Sequence, residues 1–194
     1  PGITRAEARK RFGLDPERPT LLVSGGSQGA RAINQALSAA VPAILDAGIQ
    51  VLHVLGAKNF TDADVVIESG SGARYVPVAM VEAYVAADLM IGRAGAGTVM
   101  ETAVLGLPVI FIPLPWGNGE QARNAAGLVA DGAGILLPEA ELSADKLSDL
   151  VIPTITDAEK LARMAGLARP HSPADAADVL ARAAVNVVQG EEAS

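Results

Sequence analysis

A glycine-rich stretch, IGRAGAGTVME at residues 91–101, follows a short apolar run and mixes flexible backbone with polar side chains. A turn between a strand and a helix needs one or two glycines, but it does not need an arginine, a hydroxyl and a carboxylate as well. Backbone N–H groups at a helix start, helped by the helix dipole, bind phosphate groups. The stretch therefore indicates a diphosphate site in which Gly95 and Ala96 form the loop.

Each polar side chain of this stretch has two interpretations. Thr98 and Glu101 are three residues apart, so they can form a capping box at the helix start. Alternatively, Thr98 lies at a phosphate, and the Glu101 carboxylate accepts hydrogen bonds from sugar hydroxyls. Arg93 can pair with a phosphate or only with a neighbouring carboxylate. Both interpretations stay open at this point.

Two further loops carry groups suited to a ligand. GGSQGA at residues 25–30 offers glycines and a helix start to an anion, although a tight turn capped by Ser27 is the simpler alternative. Its spacing is neither G-x-G-x-x-G nor a P-loop, which disfavours dinucleotides and nucleoside triphosphates. In PLPWGNGEQARNA, residues 113–125, Gln121 and Asn124 share one helix face beside Glu120. This loop can bind several hydroxyls, or it can be an ordinary polar first turn.

The sequence offers no set of residues for acid–base or metal chemistry. His53 lies within an apolar strand pattern and is predicted to be structural, and His171 is expected in an exposed, proline-bounded loop. Neither a Ser-His-Asp set nor a cluster with metal-ligand spacing is visible. We therefore expect a site that binds a ligand but does not complete a reaction alone.

Alternating strands and helices predict the scaffold for these loops. Continuous apolar strands between helices are typical of a doubly wound, Rossmann-like α/β domain, whose parallel sheet binds ligands at the carboxyl ends of its strands. Pro42 is expected to kink or break the first helix. The predicted strands are Thr20–Ser24, Ile49–Leu55, Ala73–Val76, Asp88–Gly92, Val109–Pro113 and Gly134–Leu137. The predicted helices are Arg31–Ala47, Val78–Ala86, Thr98–Leu105, Glu120–Asp131, Ser143–Val151, Asp157–Ala168 and Pro173–Val188.

Composition narrows the class of protein. The 194 residues suit one domain, and a net charge of −7 without a basic patch disfavours nucleic acid as a partner. There is no cysteine, which fits a reducing compartment. No apolar run is long enough to cross a bilayer, and no signal-peptide pattern is visible, so we expect a cytoplasmic location.

Three motifs in order carry a family resemblance: GGSQGARAIN at 25–34, ADLMIGRAGAGTVMETAVLGLPVIFIPLP at 87–115 and NGEQARNAAGLVADGAG at 118–134. They resemble the C-terminal domain of the MurG family, the N-acetylglucosaminyltransferases that convert lipid I to lipid II in peptidoglycan synthesis, in forms from high-GC Gram-positive bacteria. The resemblance implies the C-terminal half of a GT-B fold. It implies a donor-binding domain at residues 1–188, a polar tail at 189–194, and an acceptor domain that this chain lacks.

The resemblance also implies which residues bind UDP-N-acetylglucosamine. Near the phosphates and the loop it implies Ser27, Gln28, Arg93, Gly95, Ala96 and Thr98. It implies Glu101 at the ribose, Gln121 and Asn124 at the sugar, and Met80 with Pro77 and Val78 at the uracil. Two positions depart from the family pattern: Gly97 stands where leucine is frequent, and Glu120 stands where some members have glutamine.

The implied activity is an inverting sugar transfer without metal or cofactor, in which the missing domain supplies the base and binds lipid I. This chain is then expected to bind UDP or UDP-N-acetylglucosamine without catalysing transfer, and the full-length enzyme is peripheral on the cytoplasmic face of the plasma membrane. Other nucleotide-sugar enzymes of GT-B fold remain open, namely a UDP-N-acetylglucosamine 2-epimerase or a natural-product glycosyltransferase. So does a stand-alone binding subunit. A NAD-dependent dehydrogenase is disfavoured, because residues 55–58 at the end of the second strand include no acidic residue.

Overall fold

The computed structural model describes residues 3–25, 30–55, 66–78 and 82–172. Within these ranges one seven-stranded sheet is formed, in the order β3-β4-β2-β1-β5-β6-β7. The strands are β1 (Thr20–Ser24), β2 (Gln50–Val54), β3 (Ile67–Glu68), β4 (Arg74–Val78), β5 (Leu89–Gly92), β6 (Val109–Phe111) and β7 (Gly134–Leu136). The helices are α1 (Arg5–Arg11), α2 (Arg31–Asp46), α3 (Ala96–Leu105), α4 (Glu120–Ala130), α5 (Ala144–Ile155) and α6 (Ala158–Ala168). In the described part of the chain, short 3-10 helices span Glu82–Ala86, Glu139–Glu141 and Arg169–His171.

The strand order changes direction at the centre of the sheet. From β1 the chain proceeds outward through β2 and β4, and it then returns to build β5, β6 and β7 on the other side of β1. Every neighbouring pair is parallel except β3 with β4. In such sheets a ligand crevice opens at the carboxyl ends of the two strands that flank the switch point, here β1 and β5. The predicted doubly wound fold is therefore confirmed.

Both faces of the sheet are covered by helices. Successive residues of a strand point to opposite faces, so Leu21 and Val23 pack with α2 and α5, whereas Leu22 packs toward α1, α3 and α4. The core under α2 includes Ile33 and Leu37, which are fully buried. This double burial explains why the strand sequences are continuous apolar runs rather than alternating ones.

Several predicted element bounds are wrong for a local reason. β4 extends to Val78, because Val78 pairs with Val54 and its carbonyl accepts from Leu55 N at 3.0 Å, so the helix predicted from Val78 shrinks to the 3-10 helix Glu82–Ala86. Helix α2 continues through Pro42 to Asp46, so the break considered there does not occur. Helix α5 likewise continues past Val151 to Ile155.

Helix α1 and strand β3 were not predicted, nor were the short 3-10 helices Glu139–Glu141 and Arg169–His171. Helix α1 begins after a capping box, in which Thr4 Oγ1 accepts from Glu7 N at 3.2 Å and Glu7 Oε2 accepts from Thr4 N at 2.8 Å. Its T-x-x-E signature was present in the sequence. Strand β3 has two residues, too few for a recognisable pattern. The predicted helix Pro173–Val188 lies outside the described residues.

A buried ion pair fastens α1 to the amino edge of the sheet. The guanidinium of Arg9, a residue only 5% exposed, donates to Asp88 Oδ2 and to the carbonyls of Ala86 and Pro16, both at 2.9 Å. The same Asp88 oxygen accepts from Thr20 N at 2.8 Å. One carboxylate thus joins α1, β1 and the start of β5.

Asp88→Ala is expected to destabilise the fold strongly, because it leaves the Arg9 guanidinium without its anion and the Thr20 N–H without its acceptor. We expect the free energy of unfolding, measured by urea titration, to fall by about 3 kcal/mol. The control is Glu68→Ala, which removes the exposed ion pair with Arg74 and is expected to change stability by less than about 1 kcal/mol. Equal losses in the two variants would contradict this anchoring role.

Candidate functional site

The carboxyl ends of three central strands lie side by side. Ser24 of β1 pairs with Gly92 of β5, which in turn pairs with Phe111 of β6. At Gly92 a Cβ atom would lie 3.3 Å from the Ser24 carbonyl oxygen and 2.7 Å from Met90 Cε, so the backbones approach closely there. The loops that follow these strands therefore start from one edge, as the sequence predicted.

Helix α3 begins at Ala96, directly after the loop that follows β5 (residues 93–95, called the β5 loop). This start is two residues earlier than predicted. Its N-cap is Gly95, whose φ of −62° and ψ of 149° are extended and which has no side chain to cap the helix. The capping-box interpretation of Thr98 and Glu101 is therefore wrong, because Thr98 is the third residue of the helix. The N–H groups of Ala96, Gly97 and Thr98 precede the first intrahelical bond, which Val99 N donates to Gly95 O at 3.0 Å.

The described residues leave open space around this helix start. A Cβ atom added at Gly95 or at Gly97 would meet no heavy atom of these residues within 4 Å, and Ala96 and Gly97 are exposed. The N-terminal turn of α3 therefore presents backbone N–H groups and a positive helix end to solvent. An anion bound there would be stabilised by both.

Arg93 lies beneath this loop and makes protein contacts. It is 7% exposed, its Nη2 lies 2.6 Å from Glu139 Oε2, and its Nη1 donates to the Ile112 carbonyl at 3.1 Å. Of the two partners considered from the sequence, the structure shows the neighbouring carboxylate. A phosphate contact of Arg93 stays a prediction.

Two side chains of α4 hold the β5 loop. Gln121 Oε1 accepts from Ala94 N at 3.2 Å and from Leu114 N at 3.0 Å, while Asn124 Nδ2 donates to Ala94 O at 3.1 Å. Both backbone groups of Ala94, which is 0% exposed, are thus satisfied by α4. Because the Gln121 carbonyl is occupied, this side chain has only its N–H groups to offer a ligand, whereas Asn124 retains its carbonyl oxygen. Glu120, at the start of α4, is exposed.

The first turns of α3 and α4 are consequently coupled. The loop that leads into α3 is held by the side chains that the sequence assigned to sugar binding. The predicted residues Gly95, Ala96, Thr98 and Glu101 on one side, and Gln121 and Asn124 on the other, are brought to one edge of the sheet. The predicted site residues Ser27, Gln28 and Met80 lie outside the described residues.

Tyr84, which was not predicted, lies in the 3-10 helix Glu82–Ala86 and packs against the buried cluster that Val99 of α3 also contacts. Burial and the neighbouring Glu101 carboxylate raise the pKa of Tyr84 to about 12, so the phenol keeps its proton at neutral pH. No short motif marks such a tyrosine, because the neighbouring Glu101 lies more than a dozen residues along the chain.

The two histidines have structural environments. His53 is 2% exposed, and its ring nitrogens lie 2.8 Å from the Tyr75 hydroxyl and 2.9 Å from Asn34 Oδ1, which confirms the prediction of a satisfied structural residue. His171 is exposed, as expected, but it lies in a 3-10 helix and pairs with Asp131 at 2.7 Å. Among the described residues, no group of three His, Cys, Asp or Glu side chains is placed to hold a metal ion.

The chain belongs to the glycosyltransferase family 28 C-terminal domain family, whose model matches residues 20–180. It is similar to the UDP-N-acetylglucosamine–N-acetylmuramyl-(pentapeptide) pyrophosphoryl-undecaprenol N-acetylglucosamine transferase of Nocardioides sp., with 49% identity over 97% of this chain and 53% of the relative. The protein of the same name from Cutibacterium acnes is 51% identical over 91% of this chain and 48% of its own length. The chain thus spans about half the length of these curated relatives.

A solved structure supports the same family. The crystal structure of Acinetobacter baumannii MurG matches with a TM-score of 0.66 and 26% identity, covering 94% of this chain and 52% of that chain. The expected place of this chain in one half of a GT-B glycosyltransferase fold is therefore confirmed. None of the helices in the described ranges combines the length and apolar character that a bilayer span requires.

Gln121→Ala is expected to destabilise the domain, because it leaves the buried N–H groups of Ala94 and Leu114 without an acceptor. We expect a loss of about 1–3 kcal/mol in the free energy of unfolding. Gln121→Glu keeps an acceptor at this position and should lose much less. The control is Glu120→Ala at the exposed neighbouring position, and a similar loss there would contradict the role of Gln121.

Proposed function

We propose that this chain is the donor-binding half of an N-acetylglucosaminyltransferase that transfers N-acetylglucosamine from UDP-N-acetylglucosamine to lipid I. The observation that carries the proposal is the coupling of the α3 and α4 first turns through Ala94, in a chain that belongs to this glycosyltransferase family. Residues 1–188 are proposed as the donor domain. The general base and the lipid I site are proposed to lie in an acceptor domain that residues 1–194 do not include.

The diphosphate of the donor is proposed to bind at the start of α3. The open space at Gly95 and Gly97 and the N–H groups of the first turn support this proposal. Ser27 and Gln28, which follow β1 in the sequence, are proposed as further ligands of the diphosphate. When the sugar leaves, negative charge grows on the diphosphate. A helix N-terminus is a fixed dipole that stabilises such charge without reorganisation.

The nucleoside and the sugar are proposed to lie on opposite sides of this diphosphate. Glu101, one turn into α3, would accept hydrogen bonds from the ribose hydroxyls, and Met80 with Pro77 and Val78 would contact the uracil. Gln121 would donate its N–H groups to the N-acetylglucosamine, and Asn124 would accept through its free carbonyl. In this arrangement, α3 binds the nucleotide and α4 binds the sugar.

The location of the protein follows from the proposed reaction. UDP-N-acetylglucosamine is proposed as a cytoplasmic donor, and the complete enzyme would meet its lipid-linked acceptor as a peripheral protein on the cytoplasmic face of the membrane. Nucleic acid is not proposed as a partner, because the net charge of −7 opposes a polyanion.

Isothermal titration of the 194-residue chain with UDP, UDP-N-acetylglucosamine, dTDP and NADH tests this proposal. We expect saturable binding of the two uridine nucleotides, at least tenfold weaker binding of dTDP, and no binding of NADH. Transfer to lipid I should be absent with this chain alone.

Equal affinity for dTDP and UDP would contradict the proposed donor and favour a natural-product glycosyltransferase. Absence of heat with UDP, at protein concentrations well above micromolar, would contradict nucleotide-sugar binding altogether.

A further inference from the structure

A buried ion pair ties the β5 loop to the segment that follows β7. Arg93 is 7% exposed, and its Nη2 lies 2.6 Å from Glu139 Oε2. This carboxylate oxygen is itself buried, and within the described ranges it accepts no hydrogen bond, so the contact depends on charge. A buried carboxylate is costly without an opposite charge beside it, so Glu139 and Arg93 are stable there only as a pair.

The backbone that carries Glu139 has a fixed position. Leu137 is 1% exposed, and its N–H donates to the Phe111 carbonyl of β6 at 2.9 Å. Pro138, whose ring restricts φ, is the N-cap of the 3-10 helix Glu139–Glu141, and its carbonyl accepts from Glu141 N at 2.9 Å. The carboxylate therefore reaches Arg93 from a segment that is fastened to the sheet.

The other arm of the Arg93 guanidinium holds the segment after β6. Its Nη1 donates to the Ile112 carbonyl at 3.1 Å and lies 3.4 Å from the Pro113 carbonyl oxygen. The N–H of Ile112 in turn donates to the Gly92 carbonyl at 2.8 Å, directly before Arg93. One side chain thus joins the ends of β5 and β6 to the 3-10 helix that follows β7.

Two consecutive residues of the β5 loop are therefore fastened by different partners. The Arg93 side chain pairs with Glu139, whereas both backbone groups of Ala94 are bound by side chains of α4. Gly95, the N-cap of α3, is the next residue. These contacts place the first N–H groups of α3 before a ligand arrives, so binding does not bear the cost of ordering the loop.

We propose that Glu139 is a positioning residue for the diphosphate, because it holds Arg93 in the place that sets the start of α3. This inference rests on the proposed function, and the effect of Glu139 on binding passes through Arg93. The guanidinium remains in the ion pair when the donor binds. Its charge is balanced by Glu139, and the phosphate charge is met by the N–H groups of the α3 start.

Glu139→Gln tests this role, because it removes the charge and keeps the shape of the side chain. Binding of UDP and of uridine to the 194-residue chain is measured by NMR titration, in which the folded molecules are observed separately. We expect about fivefold weaker binding of UDP and less than twofold weaker binding of uridine, which carries no phosphate. If this variant does not fold, Glu139→Asp replaces it, since it keeps the charge and shortens the side chain. It should weaken UDP binding about threefold and leave uridine unchanged.

The matched control is Glu141→Gln, which makes the same change of charge at an exposed carboxylate of the same 3-10 helix. It should leave both affinities unchanged, and a loss of UDP affinity as large as that of the Glu139 variant would overturn the proposal. Tighter binding of UDP in Glu139→Gln would also overturn it, because a released Arg93 would then have moved to the phosphates. Equal losses for UDP and uridine, or no loss, would overturn the positioning role while leaving the proposed function intact. Failure of the unmodified chain to bind UDP would overturn both.

Discussion

The hydrogen bonding of Ala94 by α4 is the constraint on which the candidate site depends. A buried peptide needs partners for its N–H and its carbonyl, and here both come from side chains of another helix, Gln121 and Asn124. The loop after β5 therefore has one position relative to α4. Because α3 starts directly after this loop, its N–H groups and the polar face of α4 are held together before any ligand binds.

The two edges of the sheet have different roles: the amino edge holds the fold together, and the carboxyl edge carries the candidate site. At the amino edge, Asp88 joins α1, β1 and β5, because its carboxylate accepts from Arg9 and from Thr20 N. At the carboxyl edge, the N-cap Gly95 has no side chain to cap α3, and Ala96 and Gly97 of the first turn are exposed. An uncapped helix start costs some stability but gives a ligand a binding site, which is the arrangement that open α/β sheets use at their switch point.

The sequence predicted the strands well because they are buried on both faces, and β1 agrees with its predicted bounds of Thr20–Ser24. It predicted the site loops from glycines near helix starts. It missed the start of α3, which follows from the extended backbone at Gly95. It also left the partner of Arg93 open, because Ile112 and Glu139 are distant in the sequence. The proximity of Tyr84 to Glu101 was missed for the same reason, since it arises from the fold rather than from a local motif.

Residue-resolved NMR titration tests the central claim, that the first turns of α3 and α4 form one nucleotide-sugar site. With UDP, the amide signals of Ala96, Gly97 and Thr98 should shift and saturate. With UDP-N-acetylglucosamine, the side-chain amide signals of Gln121 and Asn124 should shift as well, while the amide of Thr20 at the amino edge stays unchanged. Saturation by UDP-N-acetylglucosamine without any change at Gln121 and Asn124 would contradict the claim.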